Sequence, residues 1–226
     1  MWVWTLFVVF LGVLCTEGAS QHSALKKIAS SLMSASLAFG VPMAHADPTA
    51  SVNNIEVRYD GVAKPIKDYI NGKKAILVLN VASQCALTPQ YEELVDLGKK
   101  EGDALQILAF PCNQFGSQEP APVDRIRRDM KEQFGFQYPI FDKIDVNGPS
   151  ADPLFKAMKN ANVQIVGSPQ VGKVSWNFEK FLLDESGSVV RRYKPGIRPE
   201  AVREDIEGLI KTGTVPPRKK PSLNDY

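Results

Sequence analysis

Two cysteines, Cys85 and Cys112, are the residues best suited to chemistry in the central part of this 226-residue chain. Cys85 follows an apolar run at 75–81 and precedes a segment with helical spacing. Reactive groups collect at such strand ends in an open α/β sheet. A helix N-terminus also favours a thiolate through its dipole and its free N–H groups. These features predict a reactive Cys85; the alternative is a small buried apolar residue, as many free cysteines are.

The histidines narrow the chemistry open to Cys85. The chain has only two, His22 and His45, and both lie in a segment that we interpret below as a removable leader. Without histidine, a Cys-His acyl transfer, a Ser-His-Asp triad and a His-ligated metal are excluded. Two cysteines 27 positions apart also make a poor zinc site, so we predict no metal and no bound cofactor. A thiolate that reacts directly remains, as in attack on a peroxide O–O bond.

Residues 1–46 have the features of a targeting leader. Residues 2–14 form an apolar run of signal-peptide length, too short to span a bilayer comfortably. A second unit begins at Lys26-Lys27 and ends at Ala44-His45-Ala46, where small residues fit a peptidase site before Asp47. We expect entry into the secretory pathway, then secretion or delivery to a membrane-bounded organelle such as a plastid. No membrane span is expected after processing; the alternative is an uncleaved signal anchor.

Composition and charge predict one domain over residues 47–214 and a flexible Pro-rich, basic tail over 215–226. The chain is 44% hydrophobic, and its net charge of +2 comes from mixed signs throughout. This length suits one buried core rather than two. No basic stripe indicates a nucleic-acid partner. The cluster Arg218-Lys219-Lys220 is typical of a solvated, mobile end, and three cysteines do not form a disulfide framework.

The order of the predicted elements indicates an α/β fold. Strands are predicted at 55–59, 75–81, 105–110, 178–183 and 189–193, helices at 91–100, 125–134, 153–158 and 199–211, and a surface loop at 160–175. Thr88 is the predicted N-cap of the first helix and Pro89 its first residue. A parallel half followed by an antiparallel half is the thioredoxin architecture, a central mixed β-sheet flanked by helices.

Four blocks of residues resemble the cysteine form of the glutathione peroxidase family. The blocks are Asn80-Val-Ala-Ser-Gln-Cys85 followed by Leu87-Thr-Pro-Gln-Tyr91, Leu108-Ala-Phe-Pro-Cys112-Asn-Gln-Phe-Gly116-Ser-Gln118-Glu-Pro120, Tyr138-Pro-Ile-Phe-Asp-Lys-Ile-Asp-Val-Asn-Gly148 and Trp176-Asn177-Phe-Glu-Lys-Phe181. They keep the family's order and spacing over about residues 52–212. The resemblance implies the family's variant of the thioredoxin fold and a peroxidase active in the response to oxidative stress. It also implies hydrogen peroxide and organic or lipid hydroperoxides as substrates, with glutathione or thioredoxin as the reducing co-substrate.

The resemblance assigns roles to four residues. Cys85 matches the peroxidatic cysteine, which becomes a sulfenic acid as the peroxide is reduced. Gln118, Trp176 and Asn177 match the other members of the family's catalytic tetrad. Their amide and indole N–H groups suit this task, because they can stabilise a thiolate and hold peroxide oxygens where charge develops. Without the family context, Trp176 would be assigned to the core and the two amides to ordinary loops.

The reductant is where this chain departs from the family pattern. Thioredoxin-dependent members carry a resolving cysteine on the helix after the second block, at or near Lys131 here, yet no cysteine occurs from 113 to 226. The sulfenic acid must be reduced by an external thiol, which fits glutathione, or by Cys112 after a local rearrangement, which could serve thioredoxin. We favour the first, because Cys112 is expected to be a buried structural residue.

Two further departures concern geometry and assembly. Ala86 replaces the glycine that follows the family's nucleophile and would be strained if that position needs a positive φ. Trp176 comes 28 positions after Gly148, so the insertion of tetrameric members is absent, which implies a monomer of the phospholipid-hydroperoxide type with an open site. The alternatives are a thioredoxin-dependent peroxidase using Cys112, a redox sensor or relay that oxidises a partner protein, and a module without a redox role.

Overall fold

The structure is a computed structural model that describes residues 51–167 and 172–218; the predicted leader and its cleavage site lie outside these ranges. The strands are β1 (Glu56–Tyr59), β2 (Val62–Pro65), β3 (Ala75–Val81), β4 (Leu105–Pro111), β5 (Ile165–Val166), β6 (Lys180–Asp184) and β7 (Val189–Tyr193). The helices are α1 (Lys67–Ile70), α2 (Gln90–Glu101), α3 (Val123–Phe134), α4 (Pro153–Asn160) and α5 (Arg203–Thr212). Short 3₁₀ turns lie at Gly102–Ala104 and Pro199–Val202.

A five-stranded mixed sheet with the order β4-β3-β6-β7-β5 forms the centre of the fold. β3 pairs in parallel with β4 and antiparallel with β6, and β6 pairs antiparallel with β7. The predicted parallel half joined to an antiparallel half is therefore confirmed, and the chain has the α/β thioredoxin fold. β1 and β2 form a separate antiparallel hairpin.

The two faces of β3 pack against different layers, because side chains alternate across a strand. Leu77 and Leu79 join the core that includes the buried residues of α2, α3 and α5. Ile76 and Val78 join the core that includes the buried residues of α1 and α4. All seven residues of β3 are buried, as its nearly continuous apolar sequence predicts. This buried strand therefore provides a rigid support for whatever follows Val81.

The expected surface loop at 160–175 is wrong in one part, because β5 lies within it. Of the described residues in this segment, Ile165 and Val166 join the sheet, beside Arg192 and Tyr193 of β7. Two residues are too few to show the alternation that identifies a strand. The same reason applies to the single turn of α1, which the sequence did not reveal. None of the helices within 51–167 and 172–218 is long and apolar enough to cross a membrane.

The beginning of the expected tail contacts the domain. Arg218 pairs with the buried carboxylate of Asp205 on α5, with 3.0 Å between Nε and Oδ2. Arg191 of β7 pairs with the same carboxylate at 2.6 Å and also donates to the carbonyl of Pro216 at 2.9 Å. Residues 216–218 therefore lie against β7 and α5, while the predicted flexibility beyond 218 falls outside the described residues.

Candidate active site

Cys85 lies in a turn between the end of β3 and the start of α2. Its side chain is 7% exposed, and its Sγ accepts the N–H of Leu87 at 3.4 Å. This hydrogen bond holds the sulfur within the turn. The turn continues directly into α2, whose N-terminus supplies a positive dipole end. The predicted strand-end position of Cys85 is confirmed.

Thr88 has a different role from the predicted one. The helix begins at Gln90, Pro89 occupies the N-cap position, and no side chain caps α2. The hydroxyl of Thr88 points back into the turn, where it accepts the N–H of Cys85 at 3.1 Å and donates to the carbonyl of Ala82 at 2.9 Å. Thr88 therefore fixes the backbone of the cysteine rather than the end of the helix.

Ala86 is not in the left-handed region of backbone conformations. The non-glycine residues with positive φ in the described ranges are Asp60, Ser117 and Phe178. The expected strain from an alanine after the nucleophile therefore does not arise in this turn.

Gln118 ends a tight loop that follows β4. Gly116 and Ser117 both have positive φ, at 62° and 52°, which turns the chain sharply. The carbonyl of Gln118 accepts the N–H of Gln84 at 3.0 Å, so the Gln118 loop is bonded directly to the residue before Cys85. The two loops at the ends of the parallel strands β3 and β4 are therefore joined.

Asn177 and Trp176 approach the same loop from the start of β6. The side-chain nitrogen of Asn177, which is fully buried, donates to the side-chain oxygen of Gln118 at 3.0 Å. Trp176 is 40% exposed, and its ring centroid lies 5.7 Å from that of Phe115. A Cβ on Gly116 would lie 3.6 Å from Trp176 and 3.5 Å from Gln118, so this glycine sits between the two side chains.

The topology explains why these residues meet. Cys85 and Gln118 follow the carboxyl ends of the parallel strands β3 and β4, whereas Trp176 and Asn177 precede β6, which runs antiparallel to β3. All three segments therefore reach one edge of the sheet. This edge presents a thiol whose sulfur accepts an N–H, two bonded side-chain amides and a partly exposed indole. The arrangement can bind a small polar oxidant beside a nucleophilic sulfur.

A hydrogen-bonded pair that the sequence did not reveal, Ser83 and Glu119, supports this edge. Ser83 donates to the carboxylate of Glu119, which is fully buried, and Lys143 donates to the Glu119 carbonyl at 2.6 Å. Burial raises the pKa of Glu119, and the hydrogen bond from Ser83 opposes that shift. The pair ties the residues beside Cys85 to those beside Gln118. A carboxylate next to a proline gave no signal of burial in the sequence.

Comparison with known proteins identifies the family. A family model described as "Glutathione peroxidase" matches residues 53–159. A probable phospholipid hydroperoxide glutathione peroxidase of Nicotiana sylvestris is 45% identical over 139 residues, covering 61% of this chain and 80% of the relative. The chain belongs to the glutathione peroxidase family. It is therefore an oxidoreductase, a peroxidase that reduces hydroperoxides at the expense of thiols.

The match to two further relatives extends over nearly the whole length of each relative. The hydroperoxy fatty acid reductase gpx1 of Synechocystis is 38% identical over 172 residues, covering 72% of this peroxidase and 99% of the relative. The crystal structure of Trgpx in its apo form matches with a TM-score of 0.56 and 32% identity, covering 72% of this chain and 97% of that one. The domain is thus similar over almost the full length of these proteins.

Cys112 lies on the opposite face of the sheet from Cys85 in this peroxidase. Cys85 belongs to the core on the side of α2, and Cys112, fully buried, belongs to the core on the side of α4. Its N–H donates to the carbonyl of Val81 at 3.0 Å, which extends the pairing of β3 and β4. Burial raises the pKa of the Cys112 thiol, and only a thiolate attacks sulfur efficiently.

The described residues contain no cluster of three or more metal-ligating side chains.

Lys180 provides a test of stability against pH. Its side chain is fully buried, and Nζ donates to the carbonyls of Phe178 at 2.6 Å and Pro195 at 3.3 Å. Burial lowers the pKa of Lys180 from 10.5 to about 7, and the carboxylates of Glu179 and Glu93 oppose this. Between those two values the unfolded chain binds more protons than the folded one. Stability from this group therefore rises with pH from 7 to 10.5, by at most about 1.4 kcal/mol per pH unit.

We expect this rise to disappear in Lys180→Met. The free energy of unfolding in urea, measured between pH 7 and 9.5 for both proteins, should show a wild-type minus variant difference that grows with pH. Using the difference removes the contribution of other groups that titrate in the same range. A constant difference across these pH values would contradict a lowered pKa for Lys180.

Proposed function

We propose that this peroxidase reduces hydrogen peroxide and lipid hydroperoxides at Cys85 with glutathione as the reductant. The observation that carries the proposal is the joined edge of the sheet, where the turn of Cys85 is bonded to Gln118 and Gln118 to Asn177. Reduction of a hydroperoxide needs a thiolate, and it needs donors for the oxygen that leaves. This edge brings both kinds of group together.

The first half of the cycle takes place at the sulfur. The Cys85 thiolate attacks the terminal oxygen of the hydroperoxide, the O–O bond breaks, and the departing alkoxide takes the proton released by the thiol. The products are the alcohol, or water from hydrogen peroxide, and a sulfenic acid at Cys85. Amide groups of Gln118 and Asn177 and the indole N–H of Trp176 stabilise the negative charge that develops on oxygen.

The second half requires an external thiol. Glutathione attacks the sulfenic acid, water leaves, and a mixed disulfide forms at Cys85; a second glutathione then releases the thiol as oxidised glutathione forms. The placement of Cys112 supports this one-cysteine cycle, because Cys112 is fully buried in the core on the side of α4, whereas Cys85 belongs to the core on the side of α2. Lys131, at the family's usual position for a resolving cysteine, lies exposed on α3.

The substrate class is supported by the exposure of Trp176 and by the relatives. Trp176 is one of the few large apolar side chains exposed in the described residues, and it offers a flat surface to an acyl chain. Relatives named for phospholipid hydroperoxides and hydroperoxy fatty acids support lipid hydroperoxides here. We also propose that the protein acts as a monomer in the response to oxidative stress. It would need no cofactor beyond its thiol co-substrate.

The location is proposed from the N-terminus alone. Residues 1–46 carry two processing-like units in series, which support entry into the secretory pathway through a signal peptide. The final compartment in this proposal is the exterior or a membrane-bounded organelle such as a plastid. Both locations require the peroxidase to work with the thiol supplied there.

The experiment that tests the reductant compares Cys112→Ser with the wild-type chain. Peroxide reduction is followed as NADPH consumption, coupled either to glutathione and its reductase or to thioredoxin and its reductase. We expect the glutathione-coupled rate to exceed the thioredoxin-coupled rate, and Cys112→Ser to stay within about twofold of wild type in both, because Cys112 is buried on the far face of the sheet.

Mass spectrometry of the oxidised protein gives an independent result. After one equivalent of peroxide and one equivalent of glutathione, a single glutathione adduct should map to Cys85, and a second equivalent of glutathione should remove it. A Cys85–Cys112 disulfide, together with loss of the thioredoxin-coupled rate in Cys112→Ser, would instead establish the two-cysteine alternative. Fast oxidation of Cys85 with slow turnover by both reductants would support a relay.

A further inference from the structure

Asn80 is the one polar residue in the otherwise apolar strand β3, and it is fully buried. The ladder between β3 and β6 ends one residue earlier, where Leu79 pairs with Lys180. Asn80 continues the contact beyond that point with its side chain. Its Nδ2 donates to the carbonyl of Trp176 at 3.1 Å, and its Oδ1 accepts the N–H of Glu179 at 3.2 Å.

The segment that Asn80 holds has an unusual backbone. Phe178 has a φ of 65°, a left-handed conformation that a bulky side chain adopts only when its surroundings impose it. Its N–H donates to the main-chain carbonyl of Asn80 at 2.7 Å, and its carbonyl accepts Nζ of Lys180. Its ring packs edge-on against Tyr91 of α2, with centroids 5.6 Å apart. Residues 176–179 therefore form a corner fixed at every peptide.

The corner decides where Trp176 and Asn177 point. Both residues stand between the two side-chain hydrogen bonds of Asn80, one to the carbonyl of Trp176 and one to the N–H of Glu179. Asn80 is also five residues before Cys85 on the same chain. A single side chain thus links the strand that carries the nucleophile to the segment that carries two of its partners.

We propose that Asn80 is a positioning residue for peroxide reduction, which sets the placement of Trp176 and Asn177 relative to Cys85. Small displacements matter because hydrogen-bond donors stabilise developing charge only at the right distance and angle. An apolar side chain at position 80 would leave the Trp176 carbonyl and the Glu179 N–H unpaired and free the corner to shift. The inference rests on the proposed roles of Trp176 and Asn177.

The test uses the full chain with Trp2→Phe and Trp4→Phe, which leaves Trp176 as the sole tryptophan. Asn80→Leu is compared with Leu183→Ala, which removes buried packing near the other end of β6. We measure the rate constant for Cys85 oxidation by hydrogen peroxide in a single turnover without reductant, the quenching of Trp176 fluorescence by acrylamide, and the melting temperature. Asn80→Ser provides a milder variant of the same change.

We expect Asn80→Leu and Asn80→Ser to lower the oxidation rate constant tenfold or more and to alter the quenching of Trp176. Leu183→Ala should lower the melting temperature while keeping the rate constant within twofold and the quenching unchanged. Because Asn80 acts through Trp176 and Asn177, adding Asn80→Leu to a variant that carries both Trp176→Phe and Asn177→Ala should cause little further loss of the rate constant. Asn80 variants that lose only melting temperature, with rate constant and quenching unchanged, would overturn the proposal.

Single variants separate this result from a failure of the proposed function. If Asn177→Ala and Trp176→Phe leave the oxidation rate constant unchanged, the roles assigned to those residues are wrong, and the role of Asn80 falls with them. If those variants are slow while the Asn80 variants match wild type, only the positioning role is wrong.

Discussion

Replacing Cys85 with serine is expected to abolish hydroperoxide reduction with every substrate and every reductant. A serine hydroxyl is not ionised at neutral pH, and its oxygen cannot cycle through a sulfenic acid. Removal of an enzyme's nucleophile costs on the scale of 10⁴-fold to 10⁶-fold in rate. The measurement is NADPH consumption in the glutathione-coupled assay, with hydrogen peroxide and with a phospholipid hydroperoxide. Full turnover by Cys85→Ser would refute the central role of this residue.

Cys112→Ser is the matched control for this loss. Each substitution replaces a cysteine sulfur with a serine oxygen, and both cysteines are buried, at 7% and 0% exposure. They differ in what surrounds the sulfur, because Cys85 lies in the joined edge and Cys112 in the core on the side of α4. Equal losses in both variants would point to a general effect of cysteine on stability, which the melting temperatures would show.

Much of the central fold could be predicted from sequence patterns that a few residues carry. The apolar run at 75–81 became β3 with the same bounds, and the strand at 189–193 became β7. Gly213 ends α5 in a left-handed conformation, which glycine adopts readily. Such patterns depend on local periodicity, which can be read from neighbouring residues in the sequence. β5 was missed because its two residues pair with β7 through contacts distant in sequence.

The residues of the site also differ in whether the sequence could predict them. The family resemblance supplied Gln118, Trp176 and Asn177, and the structure brings these three together. Asn80 and Glu119 were missed as supports, because their function depends on which segments meet at the edge of the sheet. A buried asparagine inside an apolar strand was a signal available in the sequence, since a buried polar group needs partners. Nothing in the sequence distinguished Thr88 as a brace of Cys85 from Thr88 as a helix cap.

Removing either amide at the joined edge should slow oxidation of Cys85 by about 10²-fold to 10³-fold, on the scale of a lost oxyanion donor. Gln118→Ala and Asn177→Ala are the variants, and the readout is the rate constant for Cys85 oxidation by hydrogen peroxide. Gln106→Ala is the control. Gln106 lies near the start of β4, whereas the Gln118 loop follows the end of the same strand. Its rate constant should match wild type.

The hydrogen bond between the two amides predicts that their contributions to the oxidation rate are coupled. Asn177 donates to the side-chain oxygen of Gln118 at 3.0 Å, so the side-chain nitrogen of Gln118 is not used in this hydrogen bond. If the pair acts as one unit, the double variant should lose less than the product of the two single losses. Two losses that multiply in the double variant would mean that the amides act independently of each other.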